Sequence, residues 1–395
     1  MTNVSRHSEV VSARIGVTDL DGILRGKQVS AEKLSSLIAS GFGFCSVIFG
    51  WDQHDSCYDN SVYTGWHTGY PDAKVKLVEE TKRLIPWANN TPLVLGDFYD
   101  KNGQELLICP RQIIKKITQQ LKQEGLLAKV GCEFEWFNFK ETGQTALSKS
   151  YKDLTPLTSG MFGYSLLKAS ENNHYFSSLM EQMHAFRVPL EGLHTETGPG
   201  VYEAAIEASD PIEAADRAIL FKTGTKEIAM RHGLMACFMA RVDSSLPGCG
   251  GHIHQSLTDT SGNPVFFDHT DPLNMSPLLK HFLAGQLHCL PELLPLLAPN
   301  INSYKRLVEG FWAPTHSTWG IDNRTCALRV LNDSPKSTRV EHRVAGADMN
   351  PYLAIAATLG AGLYGIRHKL PLDHDRVQGN AYDLKDKKED NKEKS

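Results

Sequence analysis

Three short stretches alternate apolar and polar residues with the period of a strand, and each puts chemically active side chains on one face. In Val130-Gly-Cys-Glu-Phe-Glu-Trp-Phe137, Cys132, Phe134 and Trp136 point one way and Glu133 and Glu135 occupy the alternating register. In Gly251-His-Ile-His-Gln-Ser256, His252 and His254 share a face, and in Arg339-Val-Glu-His-Arg343 the same holds for Arg339, Glu341 and Arg343. Interior carboxylates repel unless cations lie between them, and interior arginines need anions. A site that satisfies both is a multi-metal nucleotide site, which points to ATP chemistry without a P-loop.

The rest of the pattern divides the chain near residue 108. Residues 1-11 read as a flexible amino terminus, and the segment 12-107 is β-rich. Ser12–Thr18, the turn Asp19-Leu-Asp-Gly22 and Ile23–Val29 predict a hairpin, with a short helix over Ala31–Ser40 behind it. Ala73–Val78 alternates like a half-exposed strand. Leu93–Tyr99, Asp100-Lys-Asn-Gly103 and Leu106–Cys109 predict a second hairpin. Pro110 then opens a helix with Ile113, Ile114, Ile117 and Leu121 at helical spacing. Strands and helices mix over 108-384. Asp210-Pro211 and Asn350-Pro351 each place a capping residue before a proline at the first helical position. The tail 385-395 is wholly polar and reads as disordered.

Composition narrows the class without naming the chemistry. With 395 residues, 41% hydrophobic and 22% charged, the chain reads as a globular protein of two or more domains. A net charge of -4 gives no reason to expect nucleic acid or a membrane surface as partner. No signal peptide and no transmembrane run is evident, and the eight cysteines are scattered without a CxxC pair. Reduced thiols in a cytoplasmic protein are the expectation.

Taken in order, a series of motifs resembles the glutamine synthetase family from the first hairpin to about Leu384. The series comprises Gly131-Cys-Glu-Phe-Glu-Trp-Phe, Glu196-Thr-Gly-Pro-Gly-Val-Tyr-Glu203, Gly250-Gly-His-Ile-His-Gln-Ser-Leu, Asn302-Ser-Tyr-Lys-Arg-Leu, Asn323-Arg-Thr-Cys-Ala-Leu-Arg, Ser334-Pro-Lys, Arg339-Val-Glu-His-Arg and Asn350-Pro-Tyr-Leu-Ala. The resemblance implies an α+β fold. A β-grasp-like amino-terminal domain would precede a catalytic domain whose curved antiparallel sheet is flanked by helices, as in guanidino kinases. It implies that Glu135, Glu196 and Glu203 hold one divalent metal and that Glu133, His252 and Glu341 hold a second. Mg²⁺ or Mn²⁺, two or three per site, suits ligands that are almost all hard oxygens. His254, Ser256, Arg329, Lys336 and Arg339 match positions near ATP. Arg324 and Arg343 match the arginines that clamp the transferring phosphoryl group. Arg306 and Gly248 match positions at the glutamate. Guanidinium forks and metals are the parts that phosphoryl transfer needs, since it rests on positioning and charge neutralisation.

The chain departs from the family pattern at the nitrogen site. The Asp that binds ammonium in ammonia-using members is matched by Asp59, in Tyr58-Asp-Asn-Ser61. The flap Glu is not matched: its place falls on Trp312, in Gly310-Phe-Trp-Ala-Pro314, with Glu309 three residues earlier. Indole cannot take a proton from ammonium, whereas an aromatic face beside an Asp suits an organic ammonium. Glutamate–putrescine ligase and other γ-glutamylamide synthetases also lack that Glu. Pro247 stands where glutamine-forming members have an Asn that contacts glutamate. The expected reaction is therefore ATP-dependent joining of the γ-carboxylate of glutamate to a small amine. A glutamine synthetase using ammonia, a guanidino kinase and an inactive structural relative are the alternatives. Family members continue with a further helical region where this chain has its charged tail. A homo-oligomer is expected, a hexameric ring or stacked rings, in which the amino-terminal domain of one subunit completes its neighbour's site.

Overall fold

The Asp19–Gly22 turn is held from within: Asp19 Oδ1 accepts the Ile23 N–H at 2.8 Å, and Gly22 takes a left-handed φ of 77°. The structure, a computed structural model, describes residues 11–384. The flexible start assigned to 1-11, Val11 apart, and the disordered tail assigned to 385-395 lie outside the described residues. The strands are β1 (Ser12–Thr18), β2 (Leu24–Ser30), β3 (Phe42–Cys45), β4 (Asp72–Ile85), β5 (Thr91–Tyr99), β6 (Leu126–Phe139), β7 (Leu190–Thr195), β8 (Val201–Ile206), β9 (Met235–Cys237), β10 (Gly251–Asp259), β11 (Trp319–Ile321), β12 (Leu328–Leu331) and β13 (Arg339–His342). The helices are α1 (Ala31–Ser40), α2 (Pro110–Gln123), α3 (Gly143–Ser148), α4 (Leu166–Glu171), α5 (Asn173–Ala185), α6 (Pro211–Arg231), α7 (Pro277–Leu297), α8 (Ile301–Tyr304) and α9 (Pro351–His368).

Two sheets result, as the expected α+β class requires. The first runs β2-β1-β5-β4-β3, with β1 and β5 parallel at its centre and α1 against it, a β-grasp arrangement. The second runs β11-β12-β13-β10-β6-β8-β7, with β9 on β6, and is antiparallel except for β11 with β12. One hydrophobic core reaches from Ile85, Leu93 and Leu95 of the first sheet, and Trp87 in the turn between β4 and β5, to α2, α6, α7 and α9 behind the second. Buried Arg111 ties the two halves. It donates to Asp97 at 2.8 Å and to both carboxylate oxygens of Asp216 at 2.9 and 3.0 Å, and Tyr352 Oη donates to Asp216 at 2.6 Å. Asn350 caps α9 by accepting the Tyr352 and Leu353 N–H groups, and its amide donates to the carbonyls of Asp19 and Leu20 in the first hairpin turn.

Two expectations need correction. The second hairpin stops at a single bridge between Tyr99 and Glu105 and one further bond from the Leu106 N–H to the Phe98 carbonyl, after which the chain turns, the Cys109 N–H closing on the Leu106 carbonyl. Pro110 fixes the start of α2, so the preceding residues are drawn into its entry. The strand expected over Ala73–Val78 runs on to Ile85, because a register shift between Val78 and Arg83 lets Thr81 Oγ1 take the Leu95 N–H and pairing resume. Among the described residues no helix is long and apolar enough to cross a membrane, and all eight cysteines are free.

Candidate active site

Strand register builds the site. Residues directly opposite on neighbouring strands share a face. His194 of β7 faces Glu203 of β8, and Glu203 faces Glu135 of β6. Two residues along β6, Glu133 faces His252 of β10, His254 faces Glu341 of β13, and Glu341 faces Arg329 of β12. The opposite face carries Cys132, Phe134, Trp136, Tyr202, Ala204, Ile253 and Val340, all in the core. The apolar half of each alternation thus seats the sheet on its helices and turns the polar half outward as one row of acids, imidazoles and guanidiniums.

That row floors a cavity of about 620 Å³. Glu133, Glu135, Glu196, Glu203, His252 and Glu341 all line it, together with Gly248, Arg306, Trp312, Arg324, Arg329 and Arg343. An adjoining cavity of about 280 Å³ shares Glu133 and is bordered by His254, Ser256, Lys336 and Arg339. All sixteen candidate residues other than Asp59 thus border one or other of these two spaces, with Arg329 on the first, away from the other four ATP-side positions. Asp59 borders neither; it is exposed on a loop of the first half of the chain.

The two ends of the row differ in charge balance. Burial opposes ionisation of Glu341, but Arg343, His252 and His254 outweigh it and hold the carboxyl at about 2. Arg343 and Arg329 both donate to Glu341, the latter at 2.7 Å. Burial also opposes ionisation of Glu133, and the same two histidines outweigh it. His252 Nδ1 lies 3.5 Å from both Glu133 and Glu341. At the other end Glu203 is pushed up to about 10, by burial and then by Glu135, Glu133 and Glu196 around it. Glu135 spends one oxygen on the Gly250 N–H at 2.5 Å. His194 Nε2 and Glu196 Oε2 are buried without hydrogen-bond partners. A carboxylate cluster short of positive charge, with buried donor atoms left over, fits a divalent cation.

His254 also comes within reach of Glu133 and Glu341, its Nε2 lying 3.1 Å from Glu133. Arg339 Nε donates to His254 Nδ1 at 3.2 Å, however, so that nitrogen is already spent on a hydrogen bond to the arginine. His252 is free of that restriction.

The acid-binding end is shaped by close backbone approach. A Cβ on Gly248 would meet Arg306 Cγ at 2.7 Å and the Ala240 carbonyl at 2.5 Å, so glycine there leaves the arginine its place. Buried Arg306 donates to the Val344 and Arg343 carbonyls at 3.0 and 3.2 Å. Pro247 lines the same wall. On the flap, Trp312 has a left-handed φ of 61°, which a bulky residue adopts only under constraint. Arg343 donates to its carbonyl at 3.3 Å and Tyr382 Oη donates to that of Ala313 at 2.9 Å, pinning the backbone. The indole itself is 57% exposed and borders the cavity, so it is not spent on core packing. Glu309 is exposed and borders neither cavity.

Sequence reasoning missed His194 and Tyr164. Tyr164 stacks on His194 with ring centroids 4.5 Å apart and planes 14° apart, and both line the large cavity. The spacing of His194 and Glu196, two apart like His252 and His254, was an available signal.

Residues 107–394 match the glutamine synthetase catalytic domain. The chain belongs to the glutamine synthetase family. Members of this family are ATP-dependent carbon–nitrogen ligases that use a divalent metal, and the chain is an enzyme of that kind, built for ATP-dependent ligation of glutamate. It is 54% identical over 372 residues to type-1 glutamine synthetase 2 of Dictyostelium discoideum, covering 94% of this chain and 71% of the relative. It is 38% identical over 380 residues to glutamate–isopropylamine ligase of a Pseudomonas species, covering 96% and 82%. Among solved structures, a GmaS/ADP complex superposes with a TM-score of 0.82 at 26% identity, covering 95% of this chain and 82% of the other.

Proposed function

We propose that this glutamine synthetase family member phosphorylates the γ-carboxylate of glutamate with ATP and condenses the acyl phosphate with a small organic amine, giving a γ-glutamylamide. The observation that carries this reading is the half-exposed indole of Trp312 at the cavity wall, where a proton-accepting Glu would serve ammonia, with Glu309 off the wall. The likeness to glutamate–isopropylamine ligase supports it.

In this reading the buried Arg306 guanidinium holds the α-carboxylate, with Gly248 keeping the backbone clear of it. Lys336, Arg339, His254 and Ser256 border the nucleotide from the adjoining cavity, and Arg329 from the shared floor. One carboxylate oxygen attacks the γ-phosphorus, the bond to ADP breaks, and Arg324 and Arg343 neutralise the charge on the phosphoryl oxygens. The amine nitrogen then bonds to the acyl carbon, phosphate leaves, and the nitrogen gives up a proton. Asp59 of the partner subunit is the assigned acceptor in a ring-shaped homo-oligomer. Glu135, Glu196 and Glu203 on one side, and Glu133, His252 and Glu341 on the other, would hold two or three Mg²⁺ or Mn²⁺ ions. Such ions supply Lewis-acid stabilisation of phosphate charge. The Trp312 face and Asp59 together suit an organic cation with an apolar body.

Release of ADP with glutamate, Mg²⁺ and a panel of amines tests the reading. We expect kcat/KM for at least one primary amine to exceed that for ammonia by tenfold or more. Trp312→Glu should move the ratio toward ammonia by about tenfold, about 1.4 kcal/mol of transition-state discrimination. Release with ammonia alone refutes the amine reading. It would support the second reading, an ammonia-using glutamine synthetase, which the likeness to the Dictyostelium protein favours.

A further inference from the structure

We propose that His194 is a fourth protein ligand of the divalent cation held by Glu135, Glu196 and Glu203, and that it tilts that position toward Mn²⁺. The inference rests on the two-ion reading above and adds to it an imidazole on the end of the row that otherwise offers only carboxylates.

Three independent observations carry it. His194 Nε2 lies 3.3 Å from Glu196 Oε2 and 3.7 Å from Glu203 Oε1. Donors sharing one octahedral ion at about 2.1–2.2 Å stand about 3 Å apart, so the spacing is that of ligands to a common centre. Nε2 and Glu196 Oε2 are both buried and lack a hydrogen-bond partner of good geometry, so each has capacity left for a shared cation. The ring is also held in place from outside. Thr195, buried at the end of β7, accepts the Tyr164 N–H on its carbonyl at 2.6 Å and the Ser165 N–H on Oγ1 at 2.9 Å, and its hydroxyl donates to the Phe162 carbonyl at 2.8 Å. That clamp lays Tyr164 flat on His194. A nitrogen donor among oxygens favours Mn²⁺ over Mg²⁺, in keeping with the order of first-row affinities and the softness of imidazole.

The test is Mn²⁺ titration of the full-length, chelator-stripped protein followed by electron paramagnetic resonance. His194→Gln should weaken one class of bound Mn²⁺ by tenfold or more, leave the other class in place, and lower the Mn²⁺-to-Mg²⁺ affinity ratio, with an unchanged melting temperature in chelator as the folding control. Pulsed spectra give the direct readout. His252→Gln protein should keep ¹⁴N coupling on bound Mn²⁺, and the His194→Gln/His252→Gln double variant should lose it. Unchanged affinities in His194→Gln, or equal ¹⁴N coupling in the single and double variants, overturn the proposal while leaving the two-ion reading standing. Absence of any saturable Mn²⁺ class in the unaltered protein overturns both.

Discussion

Glu203→Gln is expected to make the metal-free protein more stable, although it removes a side chain from the heart of the site. In the folded chain Glu203 is pushed from 4.5 to about 10 by burial and by the three carboxylates beside it. At pH 7 the folded protein therefore retains a proton that the unfolded chain has released. The gap between 4.5 and 7, at about 1.4 kcal/mol per unit, sets the penalty at roughly 3 kcal/mol. The sign follows from linkage: the native state binds the extra proton, so stability falls as pH rises from about 4.5 and stops falling near 10. Glutamine is neutral throughout and carries no such slope. For a chain of this length, about 3 kcal/mol corresponds to about 4 °C in melting temperature. In excess chelator the variant should melt about 4 °C above the unaltered protein at pH 7, and the difference should vanish near pH 4. Mn²⁺ at a hundredfold over its Kd should stabilise the unaltered protein by about 3 kcal/mol and the variant far less. Scanning calorimetry with and without chelator reads both. A variant that melts lower than the unaltered protein at pH 8 in chelator, or an equal response to Mn²⁺, refutes the picture of carboxylates crowded together to await a cation.

Two structural predictions accompany it. Arg111→Met leaves Asp97 and Asp216 buried without their shared guanidinium, and should destabilise by about 3–5 kcal/mol in denaturant titration, with Lys115 relieving only Asp97. A loss under 1 kcal/mol would mean that the network does not tie the two halves. Asn350→Ala removes both the α9 cap and the two donors to the Asp19 and Leu20 carbonyls, and should lower stability by about 2–3 kcal/mol. Asn350→Asp keeps the cap alone and should fall between; an Asp variant as stable as the unaltered protein would show that the hairpin contact contributes nothing.

The parts of this protein legible in sequence are those where one local rule decides the outcome. Strict alternation fixed the faces of β6, β10 and β13, and the Asp210-Pro211 and Asn350-Pro351 pairs marked the starts of α6 and α9 because a cap and a preset φ act within a few residues. What stayed hidden depends on the rest of the fold. α7 contains Pro291 and Pro295 and is apolar almost all round, so neither periodicity nor breaker rules find it; its packing along α9 sustains it. β7 is only six residues long and carries His194, so missing the strand meant missing the residue. Six candidate metal-holding residues could be named from motifs, but the imbalance between the ends of the row could not. It arises from cross-strand register, which sets Glu135 against Glu203 at one end and His254 against Glu341 at the other.

The bond from Asn350 to the Asp19 carbonyl spans 331 residues. At the usual pace of synthesis, about 5–20 residues per second, the first hairpin leaves the ribosome roughly 20–60 s before its latch exists. β1 and β2 can pair at once and β5 joins soon after, yet the bend between them must stay in register without the amide that later secures it. Newborn chains of this protein therefore pass through a long vulnerable interval, and the amino-terminal bend is where helper proteins or proteases would find it open.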